Sequence, residues 1–577
     1  MKIKFLTKKV FVISDDNEKG FTTGGVVSES GTVLIGCDDR LSPEIIRNFN
    51  LPKVTAIFCC DYRRSANAGI LNFEEAHKYI NEKFLDLLTR PELWWDNPKN
   101  RWHLYNLKAD DDVIACGTSN VNTIADNEQV SVGEIKITAL LTPGDTDYSM
   151  SYAVEDDGVK IIFCGGLLYK GGKVPYLYRL TKDMMGRADH DYHGFLGGIP
   201  TWKKSLDIIS NISNADILVP YLGGVIDTPN ADIDIFKKNI DAYFDNYVDV
   251  STMNYYFPEC LNLDADAKKM ERSEDREFPS HIKYIGSQCN IISSKSGNVI
   301  AIDCGGRDAT DKLVSMIKQG EIKHVDALYI THYHDDHVDG CEYFRKYFDC
   351  PIYADESFAD VIKNPVRYRL PCISPVNVDV TALKDGHSWH WEEFELTSFS
   401  FPGQTFYHDA LMVKRDDCSV FFCGDSFSPT GIDDYCAYNR NLLMPGEGFF
   451  KCIDILKKYM PDYIINQHIM CAFSFTREQL EYMENNLTER MSILSKLSVW
   501  DDINYALDEY FVMAYPYEQD EQGDINLLIS EYADKIKYEI IALKQMNQVK
   551  GKNIYGIRIY IDDVYLGQKS CFIVNRK

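Results

Sequence analysis

Residues 332–337 read His-Tyr-His-Asp-Asp-His and so place five possible metal ligands in one hexapeptide. An apolar run precedes them and predicts a buried strand that ends in a loop, where neighbouring side chains can converge on one point. His332 and His334, as alternate residues, can offer imidazole nitrogens to one metal ion, and Asp336 and His337 can reach a second ion beside it. Imidazole and carboxylate without thiolate suit zinc, and also iron or manganese. The hexapeptide therefore predicts a metal site.

The hexapeptide resembles the signature of the metallo-β-lactamase superfamily, in the style of its glyoxalase-II-like and lactonase-like members. That family carries a Pro-Gly-His-Thr-x-Gly-His turn, and residues 402–408 resemble it. The resemblance makes His408, the last residue of the turn, a ligand. Gln404 and Tyr407 stand where the family has its first His and its second Gly, so the turn indicates the ligand without identifying the subfamily.

The resemblance also supplies the remaining ligands. The family's bridging aspartate follows a strand in a Gly-Asp pair, which here gives Asp425, and its last ligand follows another strand, which gives His468. The implied set is His332, His334 and His408 on one metal ion, Asp336, His337 and His468 on the second, and Asp425 bridging the two. Asp336 is also expected to orient the nucleophile, and Tyr407 is a candidate hydrogen-bond donor to an oxyanion.

Three segments of the first half of the chain recur in the same order in the second half. The matched pairs are 30–35 with 296–302, 56–69 with 327–340, and 143–166 with 402–425. This order predicts a duplicated domain. The residues at the ligand positions of the first copy are Asp61, Arg63, Ser65, Ala66, Ser149 and Gly166, with no histidine in place of the last ligand. Because an arginine at a ligand position repels a dication, the first copy is expected to be a scaffold, a dimer-like partner or a substrate-recognition surface.

The predicted fold class is α/β. The resemblance implies two tandem αββα metallo-β-lactamase-fold sandwiches of four layers each, followed by a small β-rich, sandwich-like domain. The expected bounds are 1–257 for the degenerate copy, 258–279 for a charged linker, 280–505 for the active copy and 506–577 for the C-terminal domain. Thr476 is predicted to begin an amphipathic helix, and β-type runs are predicted at 525–529, 555–561 and 570–574.

Composition sets the broad class of the protein. A chain of 577 residues with 45% hydrophobic residues is expected to form two or three cores. The N-terminal residues lack a continuous apolar segment with a cleavage site, and no run approaches the length of a membrane span. The 17 cysteines show no spacing typical of a disulfide framework. We therefore expect a cytoplasmic protein without membrane association.

The function implied by the resemblance is hydrolysis by a metal-bridged hydroxide. The expected substrate is a small-molecule ester, thioester, lactone or amide, because a net charge of −26 repels nucleic acid at long range. A phosphodiesterase or nuclease, an iron-dependent oxygen or sulfur redox enzyme, and a binding or regulatory protein remain alternatives. A homodimer is also left open.

Overall fold

The computed structural model describes most of the chain. The described residues are 1–95, 113–177, 198–256, 268–433, 442–506, 517–519, 525–527, 534–541 and 553–573, without the single positions 18, 115, 366, 367, 369, 371 and 417. No helix among these residues has the length and apolar character that crossing a bilayer requires. The expectation of a cytoplasmic protein stays a prediction.

Two sheets face each other in the first half of the chain. Strands β1 to β7 pair in chain order and are Lys2–Phe5, Val10–Ser14, Thr22–Ser28, Gly31–Ile35, Val54–Phe58, His77–Asn81 and Val121–Ile124. Strands β8 to β12 form the second sheet, also pair in chain order and are Gln129–Val132, Ile135–Leu141, Met150–Asp156, Val159–Gly165 and Ile217–Pro220. Side chains alternate across each strand, so Ala56 and Phe58 join the cluster between the sheets while Ile57 joins the cluster on the outer face.

Two further sheets face each other in the second half. Strands β13 to β18 pair in chain order and are Ile282–Gly286, Cys289–Ser293, Asn298–Ile302, His324–Tyr329, Ile352–Asp355 and Thr381–Leu383. Strands β19 to β25 are Ser388–Trp391, Phe394–Ser400, Asp409–Arg415, Cys418–Phe422, Phe427–Ser428, Gly431–Ile432 and Tyr463–Ile465. Of these, β23 and β24 form a separate hairpin, and the others form one sheet in which β25 lies beside β22. The side chains of Ile302, Tyr329 and Phe422 pack between the two sheets.

The two halves pair their strands in the same pattern. In each longer sheet, antiparallel pairs are followed by three parallel pairs, which begin at β4 in the first half and at β15 in the second. In each five-stranded sheet, three antiparallel pairs are followed by a parallel one. A register shift also recurs at the same place, after Thr32 in one half and after Val299 in the other.

Helices cover the outer faces of the sheets. Helices α1 to α14 in chain order are Pro43–Asn48, Arg64–Asn67, Leu85–Thr89, Glu92–Trp95, Gly198–Asp207, Pro229–Asp249, Met253–Tyr256, Arg307–Gln319, Asp335–Val338, Cys341–Phe344, Ala359–Lys363, Gly448–Tyr459, Arg477–Leu497 and Ile503–Ala506. Short 3-10 turns occupy Ala68–Asn72 and Glu82–Phe84, and a π-helix follows α5 at Ile208–Ser213. The alternation of strands and covering helices confirms the predicted α/β class.

Helix α13 begins where the sequence predicts it. The Thr476 side chain accepts a hydrogen bond from the backbone N–H of Gln479, and the Gln479 side chain accepts one from the Thr476 N–H. This reciprocal pair satisfies two N–H groups that a helix start leaves without a partner. The buried side chains of Leu480, Met483 and Leu487 then follow at helical spacing.

The C-terminal strands pack against the first half. Strands β26 to β30 are Tyr517–Gln519, Ile525–Leu527, Ile536–Ile541, Asn553–Ile561 and Val564–Ile573, so strands exist at the three predicted runs. Ile559 and Tyr565 belong to the hydrophobic cluster that includes Ala66, and Gln568 accepts a hydrogen bond from Arg64. In the linker, residues 257–267 lie outside the described residues, and 268–279 form neither a helix nor an extended strand.

Helices α6 and α13 pack against each other where the two halves meet. Asn246 donates a hydrogen bond to the Asn486 carbonyl at 3.1 Å, and Asn486 donates one to the Asn246 carbonyl at 2.9 Å. Arg490 donates to the side-chain oxygens of both residues, at 3.0 and 3.2 Å. Because all three side chains are buried, each amide depends on these partners for its hydrogen bonds.

We expect Asn486→Ala to lower the free energy of unfolding by about 1–3 kcal/mol, because it removes the buried hydrogen bonds that the Asn486 amide makes with the Asn246 carbonyl and with Arg490. Urea unfolding followed by circular dichroism measures the loss. Asn485→Ala, at an exposed position of the same helix, is the matched control and should change the free energy by less than about 0.5 kcal/mol. Equal effects of the two substitutions would contradict a role for the amide pair.

Candidate metal centre

The hexapeptide begins three residues after β16 ends, and the backbone fixes it on both sides. His332 forms an isolated bridge to His408, and the Asp409 N–H donates to the Thr331 carbonyl at 2.8 Å. Helix α9 starts directly after His334. A Cβ atom on Gly305 would lie 1.6 Å from a backbone oxygen of that helix, so only glycine permits this approach. The backbone therefore holds the hexapeptide directly beside the turn at 402–408.

His332, His334 and Asp425 form one group of possible ligands. The Nε2 atom of His332 lies 2.9 Å from the Nδ1 atom of His334 and 3.8 Å from the Oδ2 atom of Asp425. All three side chains are buried. Two imidazole nitrogens and a carboxylate oxygen thus point at one place.

Asp336, His337 and His468 form a second group. The Nε2 atoms of His337 and His468 are 3.4 Å apart, and the His468 Nε2 atom lies 3.1 Å from the Oδ2 atom of Asp336. His337 is fully buried, whereas the side chains of Asp336 and His468 are 34% and 30% exposed. The second group therefore lies at the solvent-facing side of the site.

Asp425 connects the two groups. Its Oδ2 atom lies 3.0 Å from the Nε2 atom of His468, and its Oδ1 atom lies 3.3 Å from the Nε2 atom of His337. Gln404, at a position where the family has a histidine, donates a hydrogen bond to the Oδ2 atom of Asp425 at 3.4 Å. This carboxylate is the side chain whose position suits a bridging ligand.

His408 is adjacent to the groups but belongs to neither. Its ring stacks on His332 with a centroid separation of 4.6 Å, and its Nε2 atom lies 3.3 Å from the Ser426 hydroxyl. A Cβ atom on Gly424, whose φ is +53°, would lie 2.4 Å from that nitrogen. Gly424 thus leaves room for the ring, and His408 lies beside the first group without belonging to it.

Tyr407 packs into the apolar part of this half. Its ring makes edge contacts with Tyr333 and Tyr368, at centroid separations of 6.1 Å in each case, and with Phe406 at 5.3 Å. Burial raises the pKa of its hydroxyl. Its use as an oxyanion donor stays a prediction.

The electrostatics divide the histidines into two kinds. Burial lowers the pKa of His332 and of His334, and lowers that of His408 to about 3, so these rings are neutral and can bind a cation. For His337, burial also lowers the pKa. The carboxylates of Asp425, Asp336 and Asp303 outweigh that effect and raise the pKa well above its ordinary value. The carboxylates therefore supply negative charge at the second group.

The donor set fits divalent cations. Two nitrogens that bind one tetrahedral zinc ion at about 2.0–2.1 Å lie roughly 3.3 Å apart. The nitrogen pairs His332–His334 and His337–His468, at 2.9 and 3.4 Å, have separations of that size. Asp425 lies within reach of both pairs, so its carboxylate can complete either group of nitrogen ligands.

Residues 285–441 match the sequence model of the metallo-beta-lactamase superfamily. Residues 285–441 belong to this superfamily. The segment contains six of the seven predicted ligands, and His468 follows it. The α/β fold of this segment is accordingly of the metallo-β-lactamase type.

Two relatives are each named hydroxyacylglutathione hydrolase. The one from Bdellovibrio bacteriovorus is 26% identical over 192 residues, which cover 31% of this chain and 71% of the relative. The one from Wigglesworthia glossinidia brevipalpis is 23% identical over 241 residues, which cover 40% of this chain and 81% of the relative. A subclass B3 metallo-beta-lactamase of Bradyrhizobium japonicum has a solved structure with 13% identity and a TM-score of 0.30, covering 42% of this chain and 92% of that one.

The matched segment 285–441 also contains a residue that the sequence analysis missed. Asp303 is fully buried and accepts hydrogen bonds from the Thr331 N–H at 2.8 Å and from the Thr331 hydroxyl at 2.9 Å. The Nδ1 atom of His337 lies 2.9 Å from the same carboxylate. This contact orients the ring so that Nε2 faces the ligand group. The sequence feature that could have indicated this role is the position of Asp303, a single aspartate directly after the apolar strand β15.

The equivalent place in the first half contains an ion pair. Arg63, at the position of His334, donates to the Asp145 carboxylate at 2.9 Å and to the Asp145 carbonyl at 2.8 Å. Both side chains are buried, and the Tyr221 hydroxyl lies 3.3 Å from the other oxygen of that carboxylate. A guanidinium thus supplies positive charge where the second half gathers imidazoles.

We expect Asp303→Asn to weaken metal binding by about 10–100-fold, because the amide holds the His337 ring less firmly. Competition with a chromophoric chelator measures the affinity. Asp349→Asn, at an exposed position of the same half, controls for the loss of one acidic residue and should leave the affinity unchanged. Equal affinities for all three proteins would show that the contact does not orient the ring.

Proposed function

We propose that residues 280–505 form a dinuclear metal-dependent hydrolase. The proposed ligands are His332, His334 and His408 for one ion, Asp336, His337 and His468 for the other, and Asp425 between them. Zinc is the proposed metal, with iron or manganese as alternatives. The proposal rests above all on Asp425, whose two oxygens lie within 3.0–3.8 Å of nitrogens from both groups.

Such ions, when bound, lower the pKa of a shared water and polarise a substrate oxygen. The protein's own side chains then have distinct tasks. Asp336 is part of the solvent-facing group, so its carboxylate can accept a proton from the attacking water and orient it. Asp425 is buried and accepts a hydrogen bond from Gln404, which keeps it fixed. Asp303 holds the His337 ring from behind.

The proposed substrate is a small carbonyl compound, with a thioester first among esters, lactones and amides. Both relatives carry a name that denotes hydrolysis of an acylated glutathione, which is a thioester. The net charge of −26 opposes long-range attraction of nucleic acid and so disfavours the nuclease alternative. The redox alternative requires iron in place of zinc.

We further propose that the chain contains two copies of one αββα fold, at 1–257 and 280–505. The shared strand order, the repeated register shift and the matched sequence segments support a duplication. Residues 258–279 would connect the copies, and 506–577 would form a β-rich addition. The Arg63–Asp145 ion pair supports a first copy that binds no metal at this place.

We expect the purified full-length protein to contain about two metal ions per chain and to hydrolyse a hydroxyacyl thioester of glutathione. Asp425→Ala should lose both properties, because it removes the shared ligand. Metal content is measured by plasma mass spectrometry, and thioester cleavage by the released thiol. His390→Ala, at an exposed histidine outside the site, should retain both.

Other outcomes would favour other functions. Cleavage confined to a phosphodiester such as bis-p-nitrophenyl phosphate would indicate the phosphodiesterase. Iron as the retained metal, with no hydrolysis, would indicate the redox enzyme. An unaltered protein that binds no metal would make the dinuclear proposal wrong.

We expect Arg63→Met to lower the free energy of unfolding by about 3–5 kcal/mol, because it leaves the buried Asp145 carboxylate without its cation. The double variant Arg63→Met/Asp145→Leu should recover much of this loss, since it removes both charges. Neither variant should change the metal content of about two ions per chain. Urea unfolding and plasma mass spectrometry check the two claims, and a fall in metal content would contradict a metal-free first copy.

A further inference from the structure

A groove of about 860 Å³ lies at one edge of the first half. Strands β1 and β2 of one sheet line it on one side, and β12 of the other sheet lines it on the opposite side, together with the loop that follows β12. Ile217 and Val225 supply apolar surface and are only partly buried. Clefts of this size are large enough to hold a ligand.

The loop that follows β12 has a counterpart in the second half. Strands β12 and β25 are the last strands of the two five-stranded sheets, and each pairs in parallel with the strand before it. Each also forms an antiparallel bridge with the loop that follows it, at Ile226 in the first half and at Phe473 in the second. Val225 and Ala472, which directly precede these two residues, are therefore at equivalent positions.

In the second half, the linker before β13 covers this loop. The Arg276 N–H donates to the Ala472 carbonyl at 2.7 Å, and the Ala472 N–H donates to the Arg276 carbonyl at 2.8 Å. The Arg276 guanidinium lies 4.0 Å from the centroid of the Tyr463 ring, and Phe278 packs against the hydrophobic cluster between the sheets. A peptide segment, paired antiparallel to the loop, thus occupies this edge of the second half.

The chain takes a different course before the equivalent strand of the first half. It forms β1, which pairs with β2 and lies across the groove from Val225. Within the described part of the chain, no residue pairs with the backbone N–H or the backbone carbonyl of Val225. The groove therefore presents the donor and acceptor with which a peptide strand can pair.

The groove is basic, although the chain as a whole has a net charge of −26. Lys2 and Lys4 in β1 are in register with two residues of β2 that also line the groove, so both lysine side chains are on its face of the sheet. No acidic side chain of the described residues lies within ion-pair distance of Lys2, Lys4 or Lys173. Such a surface attracts an acidic ligand. The charged lining residues are Lys2, Lys4, Lys19, Lys170 and Lys173, with Asp15, Asp227 and Asp501.

We propose that this groove binds an extended, acidic peptide segment of another protein. The peptide backbone would pair with that of Val225, as Arg276 pairs with Ala472 in the second half. Its carboxylates would lie beside Lys2, Lys4 and Lys173. Main-chain hydrogen bonds then supply affinity, and the lysines select acidic sequences. The groove and the proposed metal centre are in different halves, so this binding does not depend on the proposed reaction.

The test measures the binding of a short fluorescent peptide, in which glutamate and valine alternate, to the full-length protein by fluorescence anisotropy. We expect this peptide to bind, and a peptide in which lysine replaces glutamate to remain free. Lys2→Glu/Lys4→Glu should weaken binding by at least about tenfold, because it reverses two charges that face the peptide. Lys318→Glu, at an exposed position of the second half, is the matched control and should not change the affinity.

A second pair of variants tests the backbone contact. Val225→Pro removes the N–H group and should weaken binding by at least about tenfold, whereas Val225→Ala keeps it and should bind within about twofold of the unaltered protein. A peptide with N-methylated backbone nitrogens should bind as weakly to the unaltered protein, which tests the same contact without altering the fold. Circular dichroism and metal content should be the same for all variants.

Three outcomes would overturn the proposal. The first is an acidic peptide that does not bind at millimolar concentration, or whose affinity the lysine reversal leaves unchanged. The second is an N-methylated peptide that binds as well as its parent and is displaced by inorganic polyphosphate, which would indicate a site for simple anions. The third is strong protection of residues 223–227 from hydrogen exchange without peptide, which would show that a segment of this chain fills the groove.

Discussion

The constraint on which the second half depends is the burial of imidazoles and carboxylates at one point. Isolated charges and unpaired polar groups are costly in a protein interior, and their cost falls only when each has a partner. Here His332, His334 and His408 are held neutral by burial, while the carboxylate of Asp425 faces the rings of both groups. Neutral imidazoles and a carboxylate at one point are suited to binding cations, and the surrounding backbone holds these side chains in position. The bridge from His332 to His408 and the close approach at Gly305 serve that arrangement.

The first half shows how the same backbone accommodates other side chains. Gly36 directly follows β4 and Asp303 directly follows β15, and the two residues share a left-handed conformation, with φ of 73° and 60°. The turn is thus common to both halves, but Gly36 has no carboxylate with which to orient a ligand. Arg63 and Asp145 instead neutralise each other. Buried charge needs a partner, and in the first half the ion pair of Arg63 and Asp145 supplies it.

Local spacing made part of the site predictable. The hexapeptide at 332–337 begins three residues after β16 ends, so the sequence predicts that its side chains converge near the end of a strand. The sequence also predicts that α13 begins at Thr476, where the structure has its N-cap. Asp303 was not predicted because its contact with His337 joins residues 34 apart in the chain. The Arg63–Asp145 ion pair was not predicted either, because its two residues are 82 positions apart in the chain. Sequence patterns report local geometry, whereas these contacts depend on how separate strands end at one edge.

The two halves are also not independent of each other. The Asn246–Asn486 amide pair and the buried side chains of Leu494 and Leu497 on α13 meet the first half's α6 and its neighbours. Without the first half, this face of α13 would be exposed to water, at a cost that grows with the apolar area uncovered. The segment at 250–256 is likewise held by the hairpin beside Asp425. The proposed metal centre of the second half is therefore packed against the first half.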